Sequence, residues 1–226
     1  MRVRHSFRIA SPVRESHMRS KLLLAVAAMV LACLIYALAV RPWFLRWGAT
    51  DAELQMHLPG DDLLAHPGAT ATRALTIQSP PDRVWPWLAQ MGQGRGGLYS
   101  YAWLENLFGC QLINADRIHP EWQQVKVGDG IRLHPSMTPI PIAILEPGRA
   151  MVLGSATPPD PRIPPVTWAF IVQPAPNNAT RLVIRWRSTP PPTFLGALMN
   201  KYMLEPIHFL MERRMMLGIR DRAEAR

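Results

Sequence analysis

The sequence predicts an α+β fold: a curved antiparallel sheet wrapped around a long C-terminal helix, preceded by one N-terminal transmembrane helix. Three observations lead there. Residues 22–40 form an uninterrupted apolar run. From about residue 130 the hydrophobic period becomes two, through stretches broken by Gly, Pro and Asn turns. Residues 193–222 then keep near-helical apolar spacing, long enough to cover one face of such a sheet.

The chain of 226 residues is 48% hydrophobic and 18% charged and carries eight Trp, which excludes a disordered chain. Two cysteines, Cys33 and Cys110, are too few for a disulfide scaffold or a cysteine zinc site. The net charge of +9 is unevenly spread. Residues 1–50 hold eight Arg/Lys and one acid, whereas residues 51–226 hold seventeen basic and fifteen acidic residues. A nucleic-acid-binding domain carries its excess charge on the folded face that meets phosphate, so no nucleic-acid partner is expected.

The apolar run, LLLAVAAMVLACLIYALAV, is nineteen residues without a charge or a strong helix breaker. At the helical rise it spans about 28 Å, close to the hydrocarbon core of a bilayer. Trp43, Phe44 and Trp47 follow it where an interfacial aromatic belt lies. Arg2, Arg4, Arg8, Arg14, Arg19 and Lys21 precede it, against Arg41 and Arg46 beyond it. The positive-inside bias therefore places the N-terminus in the cytoplasm and the C-terminal domain outside, as a single-pass cell-membrane protein. The rival is a signal peptide cleaved near Ala39, at the small-x-small sequence 37–39, which leaves a secreted or periplasmic domain. The expected organisation is a basic tail (1–21), the transmembrane helix (22–40), a linker (41–69) and one folded domain (70–226).

Within that domain, residues 72–78 alternate as a half-buried strand does. Prolines 80 and 81 open a helix over 83–91 that buries Val84, Trp87, Leu88 and Met91 at i, i+3, i+4 and i+7. Pro86 is near enough to its start to be tolerated. A glycine loop at 92–97 leads to a second helical stretch, 101–108, and a polar loop, 114–122. Strands follow at 130–134, 140–146, 149–154, 166–173 and 181–188. Fourteen of the 23 prolines fall between 135 and 192, as tight turns and edge strands require. The closing helix runs from Thr193 to about Arg222, bent by Pro206.

Five stretches together resemble a bacterial, membrane-anchored branch of the START-like, birch-pollen-allergen-like superfamily (SRPBCC, polyketide cyclase/dehydrase-like). They are 85–101 (WPWLAQMGQGRGGLYSY), 114–123 (NADRIHPEWQ), 127–129 (VGD), 146–148 (EPG) and 205–212 (EPIHFLME). The resemblance covers roughly residues 70–222. It implies a helix-grip fold around an apolar pocket, without implying one reaction.

The letters Gly92-x-Gly94-x-x-Gly97 match a dinucleotide fingerprint, but a helix precedes them and no βαβ unit exists, so they read as a turn and point to no cofactor. Arg95 in that loop is a candidate for an anionic group at a pocket mouth. Asp116, His119 and Glu121 are weak catalytic candidates, since a carboxylate can tune an imidazole for acid/base work. The simpler reading of His119 is a hydrogen-bonded loop anchor, and no metal site is expected, since Pro120 splays its neighbours. Trp87, Tyr99, Tyr101, Trp103 and Trp122, with Tyr202 and Phe209 on the closing helix, are candidate pocket-lining aromatics, with core packing as the alternative. On the same helix Glu205, His208 and Glu212 put polar groups at i, i+3 and i+7; Glu205 and Glu212 fall close to one face, and one could fix a ligand's polar end, against a solvated face. Arg181, Arg185 and Arg187 share one face of their strand, expected to be the outer one.

The leading reading is a membrane-anchored domain binding a hydrophobic small molecule or lipid in an internal cavity. Two others stand beside it: a cyclase/dehydratase-type enzyme, and an interaction module without a ligand.

Overall fold

The computed structural model describes residues 12–155 and 165–225, with side chains from residue 19 onward. The start of the basic tail (1–11) and most of the proline-rich loop (158–164) lie outside the described residues. The chain divides into two compact units, residues 1–43 and 44–226.

The first unit is helical. Helix α1 (Pro12–Ile35) passes into a five-residue π-turn, Tyr36–Val40, and α2 (Arg41–Leu45) leads into the second unit. Among the described residues, Arg19–Leu45 is the one helix long and apolar enough to cross a membrane.

The second unit is α+β. Its six strands are β1 (Ala69–Ile77), β2 (Gly130–Ile131), β3 (Ile140–Glu146), β4 (Ala150–Ser155), β5 (Val166–Ala175) and β6 (Ala179–Ser188), in the order β1-β6-β5-β4-β3-β2. Every pairing is antiparallel, and β1 closes back on the last strand, with Ala69 opposite Ser188 and Ile77 opposite Thr180. Helices α4 (Pro81–Ala89) and α5 (Ala102–Leu107) follow β1. The closing helix has three parts: α6 (Phe194–Met199), a π-segment (Asn200–Leu204) and α7 (Glu205–Glu224). This is the helix-grip arrangement, a curved sheet holding a long C-terminal helix.

Period two explains the packing. Met151 and Leu153 of β4, Trp168, Phe170 and Val172 of β5, and Leu182 and Ile184 of β6 point to one face. There they meet Val84, Trp87 and Leu88 of α4 and Met215, Met216 and Ile219 of α7, which form the main core. The intervening Ala150, Val152, Ala169, Ile171 and Val183 point to the other face and are also buried, against Leu58.

That second buried face departs from the expectation of a linker at 41–69. Residues 49–68 pack against the outside of the sheet instead, whereas Phe44 and Trp47 just before them pack on Phe209 of α7. Leu58 and Leu64 are buried in that segment, which includes a short helix α3 (Asp51–Gln55) capped by a Thr50–Glu53 box. The arginines of β6 hold this segment down. Arg181 Nε donates to Glu53 Oε1 at 2.7 Å, and Arg185 reaches Asp61 Oδ2 at 2.6 Å and the Met56 carbonyl at 2.8 Å. Arg187 lies 3.0 Å from Asp61 Oδ1. The hydrogen bond from Arg181 holds the Glu53 carboxyl below its ordinary range. These arginines do face outward, as their spacing predicts, but into a charged seam rather than into water.

Proline at 206 shapes the closing helix. Its nitrogen cannot donate to residue 202, and the turn before it widens, with the Glu205 N–H bonding to the Asn200 carbonyl five residues back. At the other end, Gly218 lets α7 approach the Tyr99 backbone. A Cβ at Gly218 would stand 2.2 Å from the Tyr99 carbonyl oxygen. Tyr99 itself has φ +55°, a strained value for a bulky residue, held by the 2.7 Å bond from its N–H to Asn114 Oδ1.

Candidate functional site

A cavity of about 580 Å³ lies under the first half of the closing helix, at the end of the sheet where β1 begins and β6 ends. Ala69, Ala71 and Arg73 of β1, Trp186 and Ser188 of β6 and Val166 of β5 supply the sheet side. Met199, Leu204, Glu205 and His208 supply the helix side, with Pro191, Pro192 and Leu45 at the rim. The strand residues are brought together by register, since Ala69 and Val166 both pair with Ser188.

The polar side of this wall is one buried cluster. The Arg73 and Glu212 side chains are each 1% exposed and form a short ion pair. Arg73 Nε also donates to the Phe44 carbonyl at 2.8 Å, and Trp168 Nε1 donates to Glu212 Oε1 at 2.8 Å. Both carboxylate oxygens are therefore occupied, as a buried charge requires. His208, one turn before Glu212, packs its ring against Trp186 (centroids 4.6 Å apart). Its Nε2 stands 3.8 Å from Glu212 Oε1, beyond hydrogen-bond reach, and is shut off from solvent with no hydrogen-bond partner among the described residues. Burial pushes the His208 pKa down, against the opposing pull of Glu212, so the imidazole is neutral near pH 7.

The residues singled out from the sequence are scattered. Glu205 lies in the cavity wall, where Asn200 Nδ2 donates to it at 3.2 Å. Tyr202 is exposed on the π-segment. Phe209 is buried one residue past His208, stacked on Phe44 at 5.4 Å, with the Arg73 guanidinium 5.2 Å from its ring centre. Trp87 and Tyr99 are core residues, edge to face at 5.7 Å, and the Tyr99 hydroxyl donates to the Trp87 carbonyl at 3.0 Å. Burial lifts the Tyr99 phenol to about 12, so it stays protonated. Tyr101 is half-buried ahead of α5.

The polar loop forms its own surface cluster. His119 stacks on Trp122 (4.2 Å) and its Nδ1 lies 3.1 Å from Glu121 Oε1. Its backbone N–H donates to Gln90 Oε1 at 3.0 Å. Arg95 donates to the Ala89 and Trp122 carbonyls, at 3.0 and 2.5 Å, and so ties the glycine loop to the polar loop. Gly92 and Gly97 bridge each other with φ of +124° and +77°, which makes 92–97 a closed turn. Asp116 and Glu121 are exposed. The arrangement anchors a loop, and these residues are absent from the cavity wall described above.

Sequence reasoning passes over Arg73 and reads His208 only as a polar position of the closing helix between Glu205 and Glu212. A signal for Arg73 was present: it shares strand parity with Leu75 and Ile77, the inward pair. Glu212 is inward, not on a solvated face, and shares its stripe with Phe209, Met216 and Ile219.

No family model matches the chain, and no curated protein matches it. Solved structures do. Protein MLL2253 from Mesorhizobium loti is 17% identical over 68% of this chain and 96% of its own, with a TM-score of 0.37. Hypothetical protein jhp0584 from Helicobacter pylori is 9% identical over 75% and 96%, with a TM-score of 0.47. CalU16 from Micromonospora echinospora is 14% identical over 69% and 83%, with a TM-score of 0.33.

Proposed function

We propose that the chain is an SRPBCC-type helix-grip domain, anchored by its N-terminal helix, that holds an apolar small molecule or lipid in the cavity under the closing helix. The cavity carries this reading. Its volume of about 580 Å³ suits a small-molecule site, and most of its wall area is apolar. The wall also carries Asn200, Glu205 and His208, so a ligand's polar tip has hydrogen-bonding side chains to meet while its body is buried. The six-to-two distribution of basic residues around the apolar helix supports an N-terminus in the cytoplasm and an exported domain.

An apolar fluorescent probe tests the cavity. The wild-type chain binds it, and Ala71→Phe, which places a ring in the space beside Trp186, weakens binding at least tenfold. Equal affinity in the two proteins refutes the cavity as the site.

One observation favours a second reading, an acid/base enzyme. A neutral histidine stands in the cavity wall within 4 Å of a buried carboxylate, a pairing that can take up and return a proton. On that reading His208→Gln abolishes turnover while the probe still binds. On the binding reading His208→Gln alters affinity alone.

A further inference from the structure

The first half of the closing helix carries an apolar surface that the domain does not cover. Phe194, Leu195, Met203 and Leu210 are 81, 70, 46 and 55% exposed, with Met199 and Ile207 exposed between them. From Thr189 to Met211 the only formal charges are Lys201 and Glu205. A contiguous apolar face of this kind on a globular domain marks a surface that meets another apolar phase.

The occupant follows from the chain's own connectivity. Leu45 ends the 27-residue apolar helix that begins at Arg19. At the helical rise that helix is about 40 Å long, which exceeds a hydrocarbon core of roughly 30 Å and carries its last turn to the headgroups. Leu45 lines the cavity and Phe44 beside it is buried on Phe209, so the chain passes from the apolar helix straight into residues of the domain. Tethering of this kind keeps the domain at millimolar effective concentration over the bilayer.

We infer that the exposed face of residues 194–210 docks into the bilayer interface, so that the cavity mouth opens at the lipid surface. Met199 and Leu204 belong to both the exposed face and the cavity wall. An apolar ligand dissolved in the membrane therefore passes them into the cavity without crossing water. This inference rests on the anchoring reading, and its test separates the two.

The full chain, with Cys33→Ala and Cys110→Ala, is reconstituted in phosphatidylcholine/phosphatidylglycerol vesicles with a nitroxide at Leu195→Cys, Met203→Cys or Leu210→Cys. Pro176→Cys, in the exposed turn between β5 and β6, serves as the water reference. Docking predicts that the labels at 195, 203 and 210 collide several-fold more with oxygen, and several-fold less with a water-soluble nickel chelate, than the label at 176. Nickel accessibility equal to that at 176 overturns it. So does shielding from both agents that disappears on dilution with unlabelled protein, because the occupant is then a second copy. Alkaline carbonate extraction of the same vesicles reports on the anchor alone. A chain that stays with the vesicles while its 195 and 203 labels are wet loses the docking and keeps the anchor. A chain that washes off loses the anchor, whatever the labels show.

Discussion

Glu212→Ala removes the carboxylate that neutralises Arg73 in the floor of the domain. Both side chains are 1% exposed, so water cannot replace the lost partner. Arg73 keeps one bond, from Nε to the Phe44 carbonyl, and Trp168 Nε1 loses its acceptor altogether. Removing one member of a buried pair costs about 3–5 kcal/mol, because a charge is left without compensation. In a domain of this size 1 kcal/mol moves Tm by about 2–4 °C, so a fall of about 10 °C is expected. The assay is thermal melting of residues 44–226, the compact second unit. The control is the double variant Arg73→Met, Glu212→Leu, which replaces the pair by apolar groups of similar volume and restores wild-type stability or exceeds it. A Glu212→Ala protein melting within 2 °C or so of wild type would refute the reasoning. A double variant as unstable as the single one would locate the loss in shape rather than charge.

Two further predictions use the same domain. Starting the chain at Thr50 instead of Phe44 removes the ring stacked on Phe209 and the carbonyl that holds Arg73, and destabilises by about 3–5 kcal/mol, the usual cost of deleting a buried phenylalanine; urea melts of the two lengths check it, and coincident curves contradict it. Glu105 is buried with Oε2 lacking a partner among the described residues, and burial raises its pKa from 4.5 to about 7. The native state thus holds a proton that the unfolded chain releases near 4.5, a stabilisation present at low pH and lost as pH rises through about 7. His208 acts in the opposite sense, losing stability as pH falls below 6.5. The difference in Tm between Glu105→Gln and wild type isolates the carboxyl: it grows in favour of the variant from pH 5 to pH 8, and a constant difference refutes the assignment.

Much of the fold was legible because sheets write their geometry into a period of two. The inward residues of β5 and β6 could be picked out by parity, and β3 to β6 lie close to their expected bounds. The cover over the outer face was not legible. Residues 49–68 have no period of their own and fasten through arginines 124 to 132 residues later in the chain, a pairing that local pattern cannot carry. The site was legible in part. Glu205 was named as a group at the ligand, and Glu212 was weighed for the same role, but Arg73 was read as one polar position in an alternating strand. Aromatic residues were weighed for the pocket on size alone, and Trp87 and Tyr99 went to the core because Gly218 brings α7 onto the backbone of Tyr99. The cavity comes instead from the widened turn ahead of Pro206, where the helix lies over small residues, Ala69 and Ala71.

The central claim is that the cavity holds an apolar ligand, and native mass spectrometry of the full chain extracted from membranes in mild detergent tests it most directly. The account predicts a polypeptide carrying one stoichiometric lipid-sized adduct, lost on collisional activation and absent from the Ala71→Phe variant prepared in the same way. A bare polypeptide from the wild type, or an adduct carried equally by both proteins, would contradict it.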